Sequence, residues 1–208
     1  MVDWLDTAEA LVLSPWLYVI LLVVSFLDSF LPAIPSEPFL VVAGVAAANG
    51  DANVMLVVAA TALGAFGGDL VPYFAGRALA DPVLRRLPPG TRRRRTLDWV
   101  GTQLADRPGL ILVTSRYIPV GRYVVTLSAG ISRLPWRIFG PYTAIAVLTW
   151  SIYIVMAGYL GGQALQDNVI LAFFVGLAVA LAVTPLTQLA LRRTWGRPRR
   201  LRAEGRPR

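Results

Sequence analysis

The chain has 208 residues, 56% of them hydrophobic, a mean hydropathy of +0.59 and a formal net charge of +8. Cysteine and histidine are both absent, which removes disulfides, Cys or His metal sites, thiol nucleophiles and every imidazole acid–base mechanism. A membrane phosphatase working through a histidine nucleophile is thereby excluded, whereas a carboxylate-only metal site is not.

The apolar share exceeds the roughly 45–50% usual in soluble domains, and long apolar runs make this a polytopic membrane protein. In chain order, residues 1–14 form an amphipathic segment carrying Asp3, Asp6 and Glu9. With acids where a signal peptide would be positive, a cleaved leader is not expected. Residues 15–47 form an apolar stretch broken by 32-PAIPSEP-38. The connector 48-ANGDAN-53 is acidic, and 54–79 reads as a membrane span. Arg85, Arg86 and Arg92 to Arg95 then form a basic cluster, and 96-TLDWVGTQLADRPG-109 reads as an amphipathic surface helix. Residues 108–132 are a second broken stretch, with arms of about ten residues either side of Pro119 and Gly121 that reach only half-way across the hydrocarbon. Residues 138–160 span again, 161-GGQALQDN-168 carries one acid and no base, 169–191 span, and 192–208 form a basic tail.

All twenty basic residues are arginine. Beside apolar spans, their clusters fit the positive-inside rule better than nucleic-acid binding. Placing the 85–95 loop in the cytoplasm puts the C-terminal tail there too and leaves the acidic connectors outside. Both broken stretches then return to the side they entered, as re-entrant hairpins.

The two halves are similar at an offset of 86 residues, where 43-AG-44 matches 129-AG-130 and 73-YFAGRAL-79 matches 159-YLGGQAL-165. An odd number of crossings separates them, so the expected fold is all-α with two inverted repeats, each a re-entrant hairpin plus a span, and an extra C-terminal span. Inverted repeats with broken helices are a transporter architecture.

Six ionisable residues lie within or beside apolar segments: Asp28, Glu37, Asp69, Arg77, Arg116 and Arg122. A charge near the bilayer centre costs about 2.5–3.5 kcal/mol on insertion scales, so these groups must face one another, water or a polar ligand. Pro32, Pro35 and Pro38 free backbone groups that are tolerated at depth only around protein or a wet cavity. If the hairpin tips meet, Asp28 and Glu37 face Arg116 and Arg122. Guanidinium forks suit phosphate, and a carboxylate in a dry site can carry a proton. The same four side chains could equally serve as structural ion pairs. Asp69 is either a proton or ligand site or an arginine's partner. Gly64 and Gly68 permit close helix approach, with Asp69 and Tyr73 on one face. Arg77 sits where it can snorkel to the surface. Trp4, Trp16, Trp99, Trp136 and Trp195 read as interfacial anchors.

These residues resemble the DedA family, also called the SNARE-associated or VTT-domain family, over roughly residues 20–165. Its first block appears as 28-DSFLPAIPSE-37, with Asp28 replacing Glu, Ser29 replacing Asn and Ser36 replacing Gly. The second block is complete from Gly64 through Gly68, Asp69, Tyr73 and Gly76 to Arg77. The third appears as Arg116, Pro119, Arg122, Ala129 and Gly130, with Phe139 and Trp150 also matching, while Thr143 and Ala146 depart from the pattern. The resemblance implies a bacterial inner-membrane protein with opposed re-entrant hairpins. It also implies translocation of an anionic lipid, polyprenyl phosphate or phospholipid, in flippase or scramblase fashion and coupled to protons. It gives essential roles to Asp28, Glu37, Arg116 and Arg122. Arg116 and Arg122, with Asp28 and Glu37, are the expected phosphate site, and Asp28, Glu37 and Asp69 the proton-coupling groups. Pro32, Pro35, Gly64, Gly68, Tyr73, Gly76, Arg77, Pro119 and Gly130 are the structural motif. No cofactor, metal or nucleic acid is expected; the partners are membrane lipids and, given the glycine-rich faces, a second copy. The alternatives are a proton-coupled carrier of small solutes, a non-transporting membrane homeostasis factor, and an intramembrane enzyme needing a carboxylate–metal site that no Asp-x-x-Asp pair within a span supplies.

Overall fold

A computed structural model of the chain describes residues 14–31 and 35–164. Among these there are eight helices and no strand: α1 Trp16–Phe30, α2 Glu37–Ala48, α3 Val54–Ala78, α4 Ala80–Arg86, α5 Arg92–Asp106, α6 Pro108–Ser115, α7 Pro119–Ile131 and α8 Trp136–Ala164. The N-terminal segment through residue 13, Pro32, the expected span 169–191 and the tail 192–208 lie outside the described residues, as do Trp4 and Trp195.

Among the described residues, α3 and α8 are the helices long and apolar enough to cross a membrane. At about 1.5 Å per residue their 25 and 29 residues exceed the ~30 Å of hydrocarbon, whereas the 15, 12, 8 and 13 residues of α1, α2, α6 and α7 do not. Met55, Leu63, Ile145, Leu148 and Leu160 of the long helices are exposed, as hydrocarbon-facing side chains are.

Local chemistry sets the ends. The Asn53 side chain accepts from the main-chain N–H groups of Met55 and Leu56 at 2.9 and 3.2 Å, capping α3. α1 stops at Phe30, and Leu31 is extended as a residue before proline must be. α2 restarts with Glu37 in its first turn and a proline beside it, both favoured at a helix start. The second break falls at residues 116–118, earlier than the expected Pro119–Gly121. A proline at a helix's first position forfeits no hydrogen bond, so Pro119 opens α7 and Gly121 lies inside it. The amphipathic helix α5 likewise begins before residue 96, at Arg92, because the Thr91 side chain caps it by accepting from Arg94 N–H.

The packing is interlaced. α1 lies along α3 and its continuation α2 along α8; α6 lies along α8 and its continuation α7 along α3. Lipid tails are as apolar as leucine, so close van der Waals fit carries such contacts. Glycines supply it. A Cβ on Gly44 would strike the Val155 carbonyl, and one on Gly158 the Val41 carbonyl. In the other half a Cβ on Gly130 would strike the Tyr73 carbonyl, and one on Gly76 the Leu127 carbonyl. Gly44 and Gly130 thus each pack on the backbone of a long helix, α8 and α3 respectively. On the long helices Gly76 and Gly158 make these close approaches, whereas the sequence match pairs Gly76 with Gly162.

Two apolar clusters result. One gathers Leu21, Leu40, Val57, Trp150 and Ile154 from α1, α2, α3 and α8. The other gathers Tyr73, Leu104, Ile111, Val125 and Phe139 from α3, α5, α6, α7 and α8. On α3 the boundary between them falls between Ala65 and Tyr73, and Asp69 stands there.

Candidate functional site

The two breaks come together beside the middle of α3. Asp28 is two residues from the end of α1, Arg116 directly follows α6, Arg122 is in the first turn of α7, and Asp69 is well inside α3. All four are buried, with relative exposures of 7%, 4%, 7% and 3% respectively.

Arg122 reaches back across the break. Its Nη2 donates to the main-chain oxygen of Asp28 at 2.5 Å, and its Nη1 lies 3.5 Å from the Asp28 carboxylate. Ser36, fully buried beyond the first break, donates its hydroxyl to the same carboxylate at 2.9 Å. Arg116 pairs with Asp69, reaches Ser29 Oγ with its other terminal nitrogen at 3.4 Å, and lies over the Trp150 ring at 5.0 Å. Guanidinium over indole is a favourable cation–π placement. Asp69 is thus an arginine's partner, the second of the two roles its sequence left open.

Glu37, half-buried at the start of α2, makes no ion pair with the described residues, and its carboxylate lies beside the main-chain N–H groups of Ser36 and of Glu37 itself. It stands within electrostatic range of Asp28 and Arg122. The expected pairing of two acids on one break with two arginines on the other is therefore met by Asp28 alone; Asp69 of the long helix takes the second place.

The cluster is not self-satisfied. Arg116 Nε, Arg122 Nε and Asp69 Oδ1 are buried without a hydrogen-bond partner among the described residues. So are the hydroxyls of Ser25, Thr61, Thr143 and Ser151, on α1, α3 and α8. Buried polar groups are nearly always bonded, to protein or to water. These donors and acceptors are the ionic centre's unmet hydrogen-bonding capacity among the described residues.

The remaining motif residues form the frame. A Cβ on Gly64 would strike the Leu22 carbonyl and one on Gly68 the Phe26 carbonyl, so α1 lies directly on α3 beside Asp69. Pro72 of α3 has no N–H to offer the Gly68 carbonyl. Tyr73 is not at the site. It stacks on Phe139 at 4.0 Å and donates its hydroxyl to Leu134 O at 2.7 Å, locking the turn between α7 and α8. Arg77, exposed, reaches the same carbonyl at 3.5 Å. Pro35 lies in the first break next to Ser36, and Pro119 opens α7. Among the described residues no three Asp or Glu gather as a metal site would require. Trp16, Trp99 and Trp136 are exposed.

Fold and site together define a helical membrane protein with a buried ionic centre where two helix breaks meet. The chain belongs to the VTT-domain, or DedA, family: the VTT domain profile matches residues 34–160. Protein DedA of Escherichia coli (strain K12) is 30% identical over 171 residues, 79% of this chain and 78% of that protein. Undecaprenyl phosphate transporter A of Bacillus subtilis (strain 168) is 27% identical over 132 residues, covering 62% and 67%. A Lactococcus lactis protein named alkaline phosphatase-like is 27% identical over 148 residues, covering 68% and 67%. No solved structure matches the chain at a significant level.

Proposed function

We propose that this protein moves an anionic, phosphate-bearing lipid across the bacterial cytoplasmic membrane, with proton coupling. α1–α2 and α6–α7 are then two opposed re-entrant hairpins of inverted repeats within a membrane unit of residues 15–191, and the 192–208 tail lies in the cytoplasm. The observation that carries the reading is the set of unpartnered polar atoms on Arg116, Arg122 and Asp69, buried where both breaks converge. The name of the Bacillus relative supports the lipid class.

The chemistry follows from the pairs. An entering phosphate competes with Asp28 and Asp69 for the forks of Arg122 and Arg116. A carboxylate that loses its cation in a dry place takes up a proton instead of staying charged. In this reading Glu37, within electrostatic range of the Arg122–Asp28 pair, receives or passes on that proton. Phosphate binding and proton uptake become one event. Ser25, Thr61, Thr143 and Ser151 offer hydroxyls along the path.

The test is a vesicle assay with purified protein and a fluorescent polyprenyl phosphate, reading translocation at two proton gradients and free phosphate at the end. Translocation that responds to the gradient, with no phosphate released, is the expected result. Phosphate release would mean hydrolysis. No translocation of polyprenyl phosphate or anionic phospholipid by folded protein would remove the proposal.

A further inference from the structure

A second feature lies away from the ionic centre, at the arginine-rich end of the molecule. An open-sided cavity of about 710 Å³ runs between the end of α3, helix α4, the start of α5 and helix α7. Its walls are apolar, with Leu79, Val83, Leu87 and Leu127 among them, and Arg86 and Arg93 stand at it. No acid lines it. The volume is within the range of roughly 300–1,000 Å³ typical of small-molecule sites.

The charges around it are unevenly spent. Arg94 holds Asp98 at 3.0 Å and the Leu84 carbonyl at 3.3 Å, and Arg133 holds Asp81 at 2.9 Å. The neighbouring acids are thus taken. The side chains of Arg86 and Arg93 make no ion pair or hydrogen bond with the described residues. Arg93 also lies in the first turn of α5, a turn of consecutive arginines with no acid. The positive end of a helix dipole disfavours cations, so this arrangement is relieved by an anion.

We infer that this groove docks one anionic lipid molecule, its hydrocarbon tail along the leucine-lined wall and its phosphate on Arg86 and Arg93. An apolar wall beside an unpaired basic rim suits an amphiphile with an anionic head. The chain's own C-terminal tail does not fit, since residues 192–208 carry a run of arginines and one acid. The inference rests on the transport reading and gives the lipid its waiting place before the ionic centre.

The chain has no cysteine, so a single Leu79→Cys variant reports on the groove by its rate of maleimide labelling. Farnesyl phosphate is expected to slow labelling at least fivefold, while farnesol and millimolar inorganic phosphate leave it unchanged. In Arg86→Ala/Arg93→Ala with Leu79→Cys, the concentration needed for protection rises at least tenfold. In Arg122→Lys with Leu79→Cys it stays the same, which separates this site from the ionic centre. Protection by farnesol equal to that by farnesyl phosphate would overturn the proposal, as would protection that survives loss of both arginines. Equal protection by inorganic phosphate would make it a free-anion site. A cysteine already shielded without any lipid would show that another part of the chain or a second copy fills the groove. If protection behaves as expected while vesicles show no translocation, the docking site stands and the transport reading falls.

Discussion

Arg116 binds the carboxylate of Asp69, 47 residues away in the chain, in the interior of the molecule, and each partner keeps one polar atom unpaired. Removing one partner of a buried pair leaves an uncompensated charge and costs about 3–5 kcal/mol, whereas replacing both by apolar side chains is often neutral or stabilising. Asp69→Leu therefore lowers the thermal midpoint in detergent sharply, and Asp69→Leu/Arg116→Leu recovers most of the loss. Translocation in vesicles stays absent in both. Recovery of transport in the double variant would show the pair to be only a brace.

Arg122 uses two nitrogens on Asp28, one on its main-chain oxygen and one on its carboxylate. Lysine keeps the charge and loses the planar fork. Arg122→Lys is expected to stay within about 1.5 kcal/mol of the wild-type stability, the scale of one hydrogen bond, and to lose at least tenfold in translocation rate. A variant with wild-type transport would show that charge alone suffices there.

The glycine seams make a prediction about packing alone. Gly44→Ala and Gly130→Ala each drive a methyl into a facing backbone carbonyl, and such overpacking costs about 1–3 kcal/mol. Gly67 is a control in the same helix as Gly76. A Cβ there meets the Phe26 ring at 3.4 Å, ordinary contact, and alanine gains up to about 1 kcal/mol of helix preference. Thermal unfolding of the three variants should rank Gly67→Ala at or above wild type and the other two below it. Equal midpoints would mean that the seams are looser than these contacts require.

Thr61 and Ser151 are fully buried, and neither hydroxyl has a protein partner. Removing a hydroxyl that bonds nothing in the protein is nearly neutral. Thr61→Val and Ser151→Ala are expected to unfold within about 0.5 kcal/mol of wild type yet to slow translocation several-fold, because they line the proposed path. Unchanged transport would take these two positions off that path.

Much of the frame was legible because the signals are local. The long helices follow from uninterrupted apolar runs, and the breaks from 32-PAIPSEP-38 and Pro119. The pairing inside the site was not. Which carboxylate meets Arg116 depends on how α6 and α7 are turned about their axes against α3 and α8, and no residue spacing encodes that rotation. Glu37 has the right spacing and stands aside; Asp69, which the sequence left undecided, takes the arginine. Trp150 could have been found as a site residue. Tryptophan favours the interface, and this one sits mid-way along α8, where the guanidinium of Arg116 covers it. Ser29 and Ser36 entered only as departures from a motif, yet both bond to the charged groups.

The crossed arrangement of arms has a consequence for how the protein is made. α1 meets its partner α3 within a few dozen residues, but α2 must await α8, which leaves the ribosome long afterwards. Until then Gly44 lacks the backbone it packs on, and Asp28 is without Arg122 until α7 has been made. The N-terminal half is therefore an unfinished object in the bilayer until α8 arrives. Such non-local closure slows folding, and it ties the maturation of the ionic centre to the arrival of α8, whose Trp150 lies under Arg116.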